Sequence, residues 1–406
     1  MGTTQVRWLA TLFILTLSLA VVGCPAESVK VGAVLPLEGE AATYGVAVKR
    51  GMELAFAEVQ ADETFAPPLE LEFLDSGSDP TKAQEQLEQL FGQGVSTVIG
   101  GVTSGEAKQM MDVVDRYDRI LLSPTASSPE LTGISRNFYR IWPSDHTEAN
   151  KMAQSAAQGL GVETIVIIAE EQPYAKDIQS VFEPAFEGFG GEVLETIEFP
   201  PNTTDLEALV ARAMSLDPDA VYLAGYVDGI GSMIKALRAK NYGGKILTTS
   251  AFATPSAIAE MGDAAAGVFL TQTVFEPHSD FAHVQKFVNA YKTAYNGEVP
   301  DIYAAHGYDV MKVLAEALRG RPNIPGEVKK GLRDKIKEFP GVTGSIQFDD
   351  KGDVRKFPRL YVIGSDLLLV DYNEQVRLKQ EEIKRKRESL RKQLEAIQKK
   401  ATDISG

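Results

Sequence analysis

Two α/β lobes, each a parallel sheet flanked by helices, followed by a charged C-terminal helix, form the fold class that this sequence predicts. Three observations predict it. The chain has 406 residues, more than one ordinary core accommodates. From Val29 onward, short apolar β-branched runs alternate with amphipathic segments, the rhythm of parallel strands joined by right-handed helical crossovers. After Tyr372 the composition turns abruptly polar and helix-forming.

Val29–Leu35 (VKVGAVL) reads as a buried parallel strand that stops at Pro36. A glycine-containing loop follows, and Val46–Val59 reads as an amphipathic helix. Leu69–Leu74 is the next strand. Asp79 then caps a helix that has Pro80 at its first position and runs through Phe91. Val95–Ile99, Ile120–Leu122, Thr164–Ile168, Glu192–Ile197, Ala220–Leu223, Lys245–Thr248 and Gly267–Thr271 continue the strand series, with helical segments between most of them. In such sheets ligands sit beyond the carboxyl ends of the strands, so the loops there are where function is sought.

Those loops hold small hydroxyl and aromatic residues and no catalytic set. Gly101-Val102-Thr103-Ser104-Gly105 lacks the G-x-S-x-G spacing of a nucleophile elbow. The glycines of Gly225-Tyr226-Val227-Asp228-Gly229-Ile230-Gly231 match neither a dinucleotide fingerprint nor a P-loop, and a close strand-to-helix turn accounts for them. No nucleophile–base pair or general acid/base pair stands out, so an enzyme is the weakest reading. His146, His278, His283 and His306 are scattered without metal-ligand spacing, and no cofactor is implied. A formal net charge of −15 argues against a nucleic-acid partner, which requires a concentrated basic face.

The N-terminus reads as an address. Arg7 precedes an apolar run from Trp8 to Val22, about 15 residues long and short of a bilayer span of about 20. Val21-Val22-Gly23-Cys24 ends it and resembles the bacterial lipobox, in which the cysteine carries diacylglycerol and becomes the mature N-terminus. Residues 1–23 are then a signal peptide and Cys24 a lipidation site. The alternative is a plain secretory peptide, yet the chain's one cysteine stands at the position a lipobox requires. Either way the protein is exported, and with the lipid it faces the periplasm or cell exterior from a membrane anchor.

Residues 374–406 carry ten basic and six acidic side chains. Val376, Ile383, Leu390 and Ile397 recur every seven residues, but the complementary positions Lys379, Lys386 and Gln393 are polar, which makes half a coiled-coil seam. An exposed or weakly pairing helix is expected, with self-association or docking on another envelope protein as the alternative.

Several ordered motifs resemble one family. Val31-Gly32-Ala33-Val34-Leu35-Pro36-Leu37-Glu38-Gly39, Tyr44-Gly45 and Arg50-Gly51-Met52-Glu53-Leu54-Ala55 are similar to the opening of type I periplasmic binding proteins, in particular the Leu/Ile/Val-binding components of ABC importers. Val98-Ile99-Gly100-Gly101, Leu122 through Thr132 (LSPTASSPELT), Arg140 with Asp145, Tyr174, Gly225-Tyr226, Tyr308-Asp309 and Phe348-Asp349-Asp350-Lys351-Gly352 extend the likeness over roughly Val29 to Tyr372. The resemblance implies two Rossmann-like lobes joined by three crossover strands. Lobe 1 would hold residues 29–144 and 275–355, lobe 2 residues 145–274 and 356–373. It also implies an amino acid or related small carboxylate as ligand, selected by closure of the lobes, and permease subunits of an ABC importer as partners.

Carried over by position, the resemblance places Ser104 and Ser127 where hydroxyls and backbone N–H groups hold a ligand carboxylate. Thr125 falls where a backbone carbonyl accepts from the ligand ammonium. Aligned neutral donors of this kind hold an anion without a buried counter-charge. Tyr44, Tyr174 and Tyr226 fall on the pocket walls. The plainer reading is that Ser123–Ser128 caps a helix beginning near Pro129 and that the tyrosines are ordinary cleft residues. One departure stands out: Ser250 occupies the position where amino-acid binders of this family carry an acidic partner for the ligand ammonium. Either Asp228 substitutes for it, or the ligand lacks an α-amine and Phe252 extends an apolar wall. A sensor, or an envelope factor that docks on a partner protein through its lobes or tail, would use the same fold without transport.

Overall fold

The computed structural model describes residues 28–405 apart from Asn202, with side chains through Glu395. The signal peptide and Cys24 therefore lie outside the described residues. Five strands form the first sheet: β1 (Val29–Leu35), β2 (Leu69–Asp75), β3 (Thr97–Gly100), β4 (Ile120–Ser123) and β5 (Phe138–Arg140). Every pairing is parallel, in the order β2-β1-β3-β4-β5. The second sheet repeats that order with β6 (Thr164–Glu170), β7 (Glu192–Phe199), β8 (Ala220–Ala224), β9 (Lys245–Thr248) and β10 (Val268–Gln272). Following the short hairpin of β11 (Phe339–Gly341) and β12 (Gly344–Ile346), β13 (Arg359–Ile363) and β14 (Leu369–Asp371) extend its edge antiparallel, giving β14-β13-β10-β9-β8-β6-β7.

Strand order reverses between β1 and β3 in one sheet and between β6 and β8 in the other. These are the switch points where loops diverge and leave a crevice. The chain passes between the sheets three times: after β5, after β10, and before β13. The long excursion before β13 packs the helix Ile302–Leu318 on the first lobe, against the helix Ala42–Gln60. Their backbones touch: a Cβ on Gly51 would stand 1.9 Å from the Ala304 carbonyl oxygen, and one on Gly307 2.1 Å from that of Val48. Only glycine permits that approach.

Expected and observed elements differ mostly at their ends. The first helix begins at Ala42 rather than Val46, because Ala41 at its cap offers no side-chain signal. β3 starts at Thr97 rather than Val95, since the Val95 N–H closes the preceding helix on the Leu90 carbonyl. Asp79 caps as expected, accepting from the N–H groups of Thr81 and Lys82 with Pro80 behind it. Near Pro129 a single turn, Pro129–Leu131, stands in place of a helix. The tail is one helix, Tyr372–Ser405, with Leu378, Ile383, Leu390 and Leu394 exposed. Among the described residues no helix is long and apolar enough to cross a membrane.

Candidate functional site

A cavity of about 40 Å³ lies between the carboxyl ends of the two sheets. Taking about 10–15 Å³ per water, it has room for roughly three. It brings together Tyr44, Ser104, Thr125, Ser127, Tyr174, Tyr226 and Ser250, seven of the nine ligand-binding positions expected from the sequence. A larger open groove of about 1120 Å³ runs along the second lobe's edge past Phe275, Arg359 and Arg377. Arg359 there is already paired with Glu276 and Asp371, and Arg377 with Glu374 and Glu381. The small cavity, where hydroxyl and aromatic side chains from both lobes converge, is the candidate site.

Its first-lobe wall is built at a helix start. Thr103 caps the helix Ser104–Tyr117 by accepting from the Glu106 N–H, and Glu106 accepts in return from the Thr103 N–H, both at 3.2 Å. That reciprocal cap fixes Ser104 in the first turn, where the helix dipole favours an anion. The N–H groups of Ser128 and Ser127 donate to Ser104 Oγ at 3.1 and 3.4 Å. With its lone pairs so engaged, the Ser104 hydroxyl proton is free to donate into the cavity. Thr125 Oγ1 donates instead to the Val102 carbonyl at 2.7 Å, which leaves that oxygen an acceptor. The Ser127–Ser128 loop is held from behind by Arg140, whose Nη1 donates to the Ser128 carbonyl at 2.8 Å while its guanidinium forms a two-point pair with Asp353.

Aromatic rings from both lobes enclose the rest. Tyr44 packs on Tyr303 at 4.7 Å and on Tyr226 at 5.8 Å, Trp142 stacks on Tyr303, and Tyr174 stacks on Tyr226. Tyr44 also joins the lobes by hydrogen bonds, donating to the Ala251 carbonyl and accepting from the Val227 N–H, each at 3.0 Å. Val227 opens the helix Val227–Ala239, which has no side-chain cap of its own, so a first-lobe hydroxyl satisfies one of its free N–H groups. The preceding Tyr226 N–H donates to Glu170 Oε2 at 3.0 Å. A Cβ on Gly229 would stand 2.7 Å from Glu170 Oε1, so close passage beneath this carboxylate accounts for that glycine.

Ser250, 3% exposed, meets a carboxylate after all, though not from Asp228. Its N–H donates to Glu148 Oε1 at 2.8 Å and its hydroxyl to Glu148 Oε2 at 2.9 Å. Asp145, one turn earlier on the helix Asp145–Gln154, is fully buried and neither of its carboxylate oxygens has a well-aligned hydrogen bond. Burial pushes both carboxyls well above the ordinary range. The nearby Ser127 hydroxyl and Arg140 offset only part of this for Asp145, and the Asp145 charge adds to it for Glu148.

The two remaining expected positions lie off this cavity. Asp228 is exposed on the first turn of its helix and does not line the cavity, because the helix turns it outward while Tyr226 and Val227 face in. Phe252 is fully buried and lies in the core behind the wall, 3.8 Å from where a Cβ on Gly231 would be. Sequence reasoning missed Trp142, Tyr303 and Glu148. Trp142 follows a three-residue strand too short to read, and Tyr303 arrives from a helix far along the chain. Glu148 had a signal: with Asp145 it interrupts the apolar stripe of Ala149, Met152 and Ala153, an odd place for two acids.

Two parallel-sheet lobes meeting over a walled cavity define a type I binding-protein architecture. Residues 28–362 match the periplasmic binding protein family, and the chain belongs to it. The Leu/Ile/Val-binding protein BraC3 of Rhizobium johnstonii is 25% identical over 346 residues, 84% of this chain and 92% of that protein. The crystal structure of a leucine binding protein LivK from Thermotoga maritima superposes with a TM-score of 0.78 at 25% identity, covering 85% of this chain and 99% of that one. A solute binding protein of an ABC transporter from R. palustris, solved with benzoate, shares the fold at a TM-score of 0.77 and 22% identity, covering 85% and 96%.

Proposed function

We propose that this chain is the extracytoplasmic solute-binding component of an ABC-type importer, holding an amino acid or related small carboxylate between its lobes and presenting it to permease subunits. Residues 29–144 with 275–355, and 145–274 with 356–373, are the two bodies that close by hinge motion over the solute. Cys24 carries the lipid that keeps the exported protein at a membrane. The observation that supports this reading is the convergence of Ser104, Thr125 and Ser127 with Tyr44, Tyr174, Tyr226 and Ser250 on one buried cavity. Relatives named for branched-chain amino acids, and a similar fold solved with benzoate, set the range of solutes to try.

A thermal-shift screen of a chain beginning at Ala26, against amino acids, amides, short-chain carboxylates and aromatic acids, tests it. A solute at about a thousandfold excess over its Kd adds about 4 kcal/mol to stability. Ser104→Ala and Ser127→Ala should each weaken that solute about tenfold or more, consistent with about 1.5–3 kcal/mol for a hydrogen bond to a charged group, while folding normally. Unchanged affinity in both variants would remove the site assignment.

The exposed apolar residues of the tail helix favour a second reading, docking on an envelope partner. Deleting residues 374–406 would then abolish partner capture and leave solute affinity unchanged. A tail deletion that captures partners normally sinks this reading.

A further inference from the structure

Ser250 lines the cavity, and its hydroxyl has a single proton to give. Glu148 takes that proton's hydrogen bond and also the backbone N–H of the same residue, a two-point grip at 2.9 and 2.8 Å. While Glu148 is ionised and holds it this way, Ser250 Oγ presents only lone pairs to the cavity. Thr125 Oγ1 is an acceptor for the same reason, its proton engaged by the Val102 carbonyl. Ser104 Oγ is the opposite, its lone pairs taken by backbone N–H groups and its proton free. One part of the cavity thus donates, as a carboxylate requires, while another accepts, as an N–H-bearing cation requires.

We propose that Glu148 is the positioning residue that sets the polarity of Ser250, so that the cavity selects a solute bearing both a carboxylate and a primary ammonium, with Ser250 Oγ accepting from the ammonium and Glu148 supplying the balancing negative charge behind it. This rests on the solute-binding reading above and narrows it. The carboxylate expected at position 250 is replaced by one on another helix, reached through a hydroxyl.

The grip works in both directions. When Glu148 is protonated its own O–H can donate to Ser250 Oγ, and the serine proton then turns into the cavity as a donor. Asp145 on the same helix is the charge that faces Glu148, and the Tyr174, Tyr222 and Tyr303 hydroxyls face it from the three elements that hold them. Tyr361 lies on β13, which packs against this helix, and Arg140, Lys108 and Asp177 act on Asp145. Burial and the Asp145 charge favour the protonated form of Glu148, so a cationic solute must draw the proton off when it binds.

Calorimetry with matched pairs tests this: alanine and propanoate, valine and 3-methylbutanoate, leucine and 4-methylpentanoate. With the full chain, the amino member of any pair that binds should be at least about tenfold tighter, as one charged hydrogen bond requires. Its affinity should rise from pH 5.5 to pH 8, with up to about one proton released per solute, read from buffers of different ionisation enthalpy. In Glu148→Gln the amide oxygen keeps the Ser250 N–H and the amide nitrogen donates to Ser250 Oγ. That reversal should abolish the pH dependence and shift preference towards the amine-free acids. Equal affinity within pairs, or a pH profile and preference unchanged by Glu148→Gln, overturns the inference alone. Silence of all three pairs, where the screen above finds an amine-free solute, overturns it too, and silence of both overturns the solute-binding reading with it. Should the variant fail to fold, the wild-type pH profile and proton release decide.

Discussion

Lys108 Nζ lies 2.7 Å from Asp177 Oδ2, joining the helix that begins at Ser104 to the helix Pro173–Gly188 of the other lobe. Glu130 approaches the same ammonium at 2.8 Å. Burial works against the Lys108 charge, but Asp177 and Glu130 outweigh it and hold its pKa above the ordinary lysine value. The pair ties the lobes beside the cavity, and it exists only when they meet.

Asp177→Asn should therefore weaken solute binding while leaving the folded, solute-free protein nearly unchanged. Lys108 is a quarter exposed, so screening limits the loss to about 1 kcal/mol, roughly fivefold in Kd. The wild-type affinity should fall between 0.05 M and 0.5 M salt, and that fall should flatten in the variant. An unchanged salt slope in Asp177→Asn would place this pair outside closure.

Tyr44 offers a salt-independent counterpart. Its hydroxyl donates to the Ala251 carbonyl and accepts from the Val227 N–H, so Tyr44→Phe removes two cross-lobe hydrogen bonds and keeps the ring against Tyr303. At about 0.5–1.5 kcal/mol for each bond, affinity should drop about tenfold, mainly through faster release. Stopped-flow dissociation measures it. A variant with wild-type release would mean that the tyrosine serves only as a wall.

What the sequence discloses about this site follows chain locality. Ser104, Thr125 and Ser127 fall in loops that local reading picks out, each within a few residues of an apolar strand end, but their roles there come only from the motif resemblance. Tyr44, Tyr174 and Tyr226 are placed by motif resemblance rather than by any local pattern. Tyr303 is out of reach because its helix joins the first lobe through glycine-to-backbone contacts at Gly51 and Gly307, which no periodicity records. Asp228 lies off the cavity for a related reason: proximity along the chain to Tyr226 says nothing about which side of a helix faces the cleft. Glu148 was readable as an acid on an apolar stripe, but its partner Ser250 lies 102 residues away.

The buried acids set a pH dependence of stability. Asp145 and Glu148 titrate above their ordinary values of 3.8 and 4.5 in the folded chain, chiefly through burial. Above those values the unfolded chain loses protons that the folded chain retains. The folded state therefore binds more protons in that window, and stability falls as pH rises through it until the folded carboxyls themselves ionise. Carboxylates held low, such as Asp75 and Asp219, act oppositely only at more acid pH, and His306, whose pKa burial lowers, opposes the buried acids below its ordinary value of 6.5. The solute-free melting temperature should be lower at pH 8 than at pH 5, and Asp145→Asn should narrow that gap by several degrees. A gap of wild-type width in Asp145→Asn would show that the acid is solvated in solution.

Behind the cavity, Arg140 is completely buried and its guanidinium meets Asp353 at 2.6 and 3.0 Å. Thr132 Oγ1 accepts from Arg140 Nη2 and donates to Asp353 Oδ2, both at 2.7 Å, so the pair is hydrogen-bonded as well as charged. Removing one partner leaves an uncompensated buried charge, and Asp353→Ala should cost about 3–5 kcal/mol in urea denaturation. Removing both, in Arg140→Met with Asp353→Ala, should recover much of that loss, since apolar replacements of buried pairs are often tolerated. Solute affinity should not recover alongside. Arg140 also donates to the Ser128 carbonyl, and without it the Ser127–Ser128 loop loses the support that sets its N–H groups on Ser104 Oγ. A double variant that is stable yet binds solute weakly separates the ion pair's contribution to folding from its placement of the site. A double variant that binds as tightly as wild type would mean that this loop holds its geometry without the arginine.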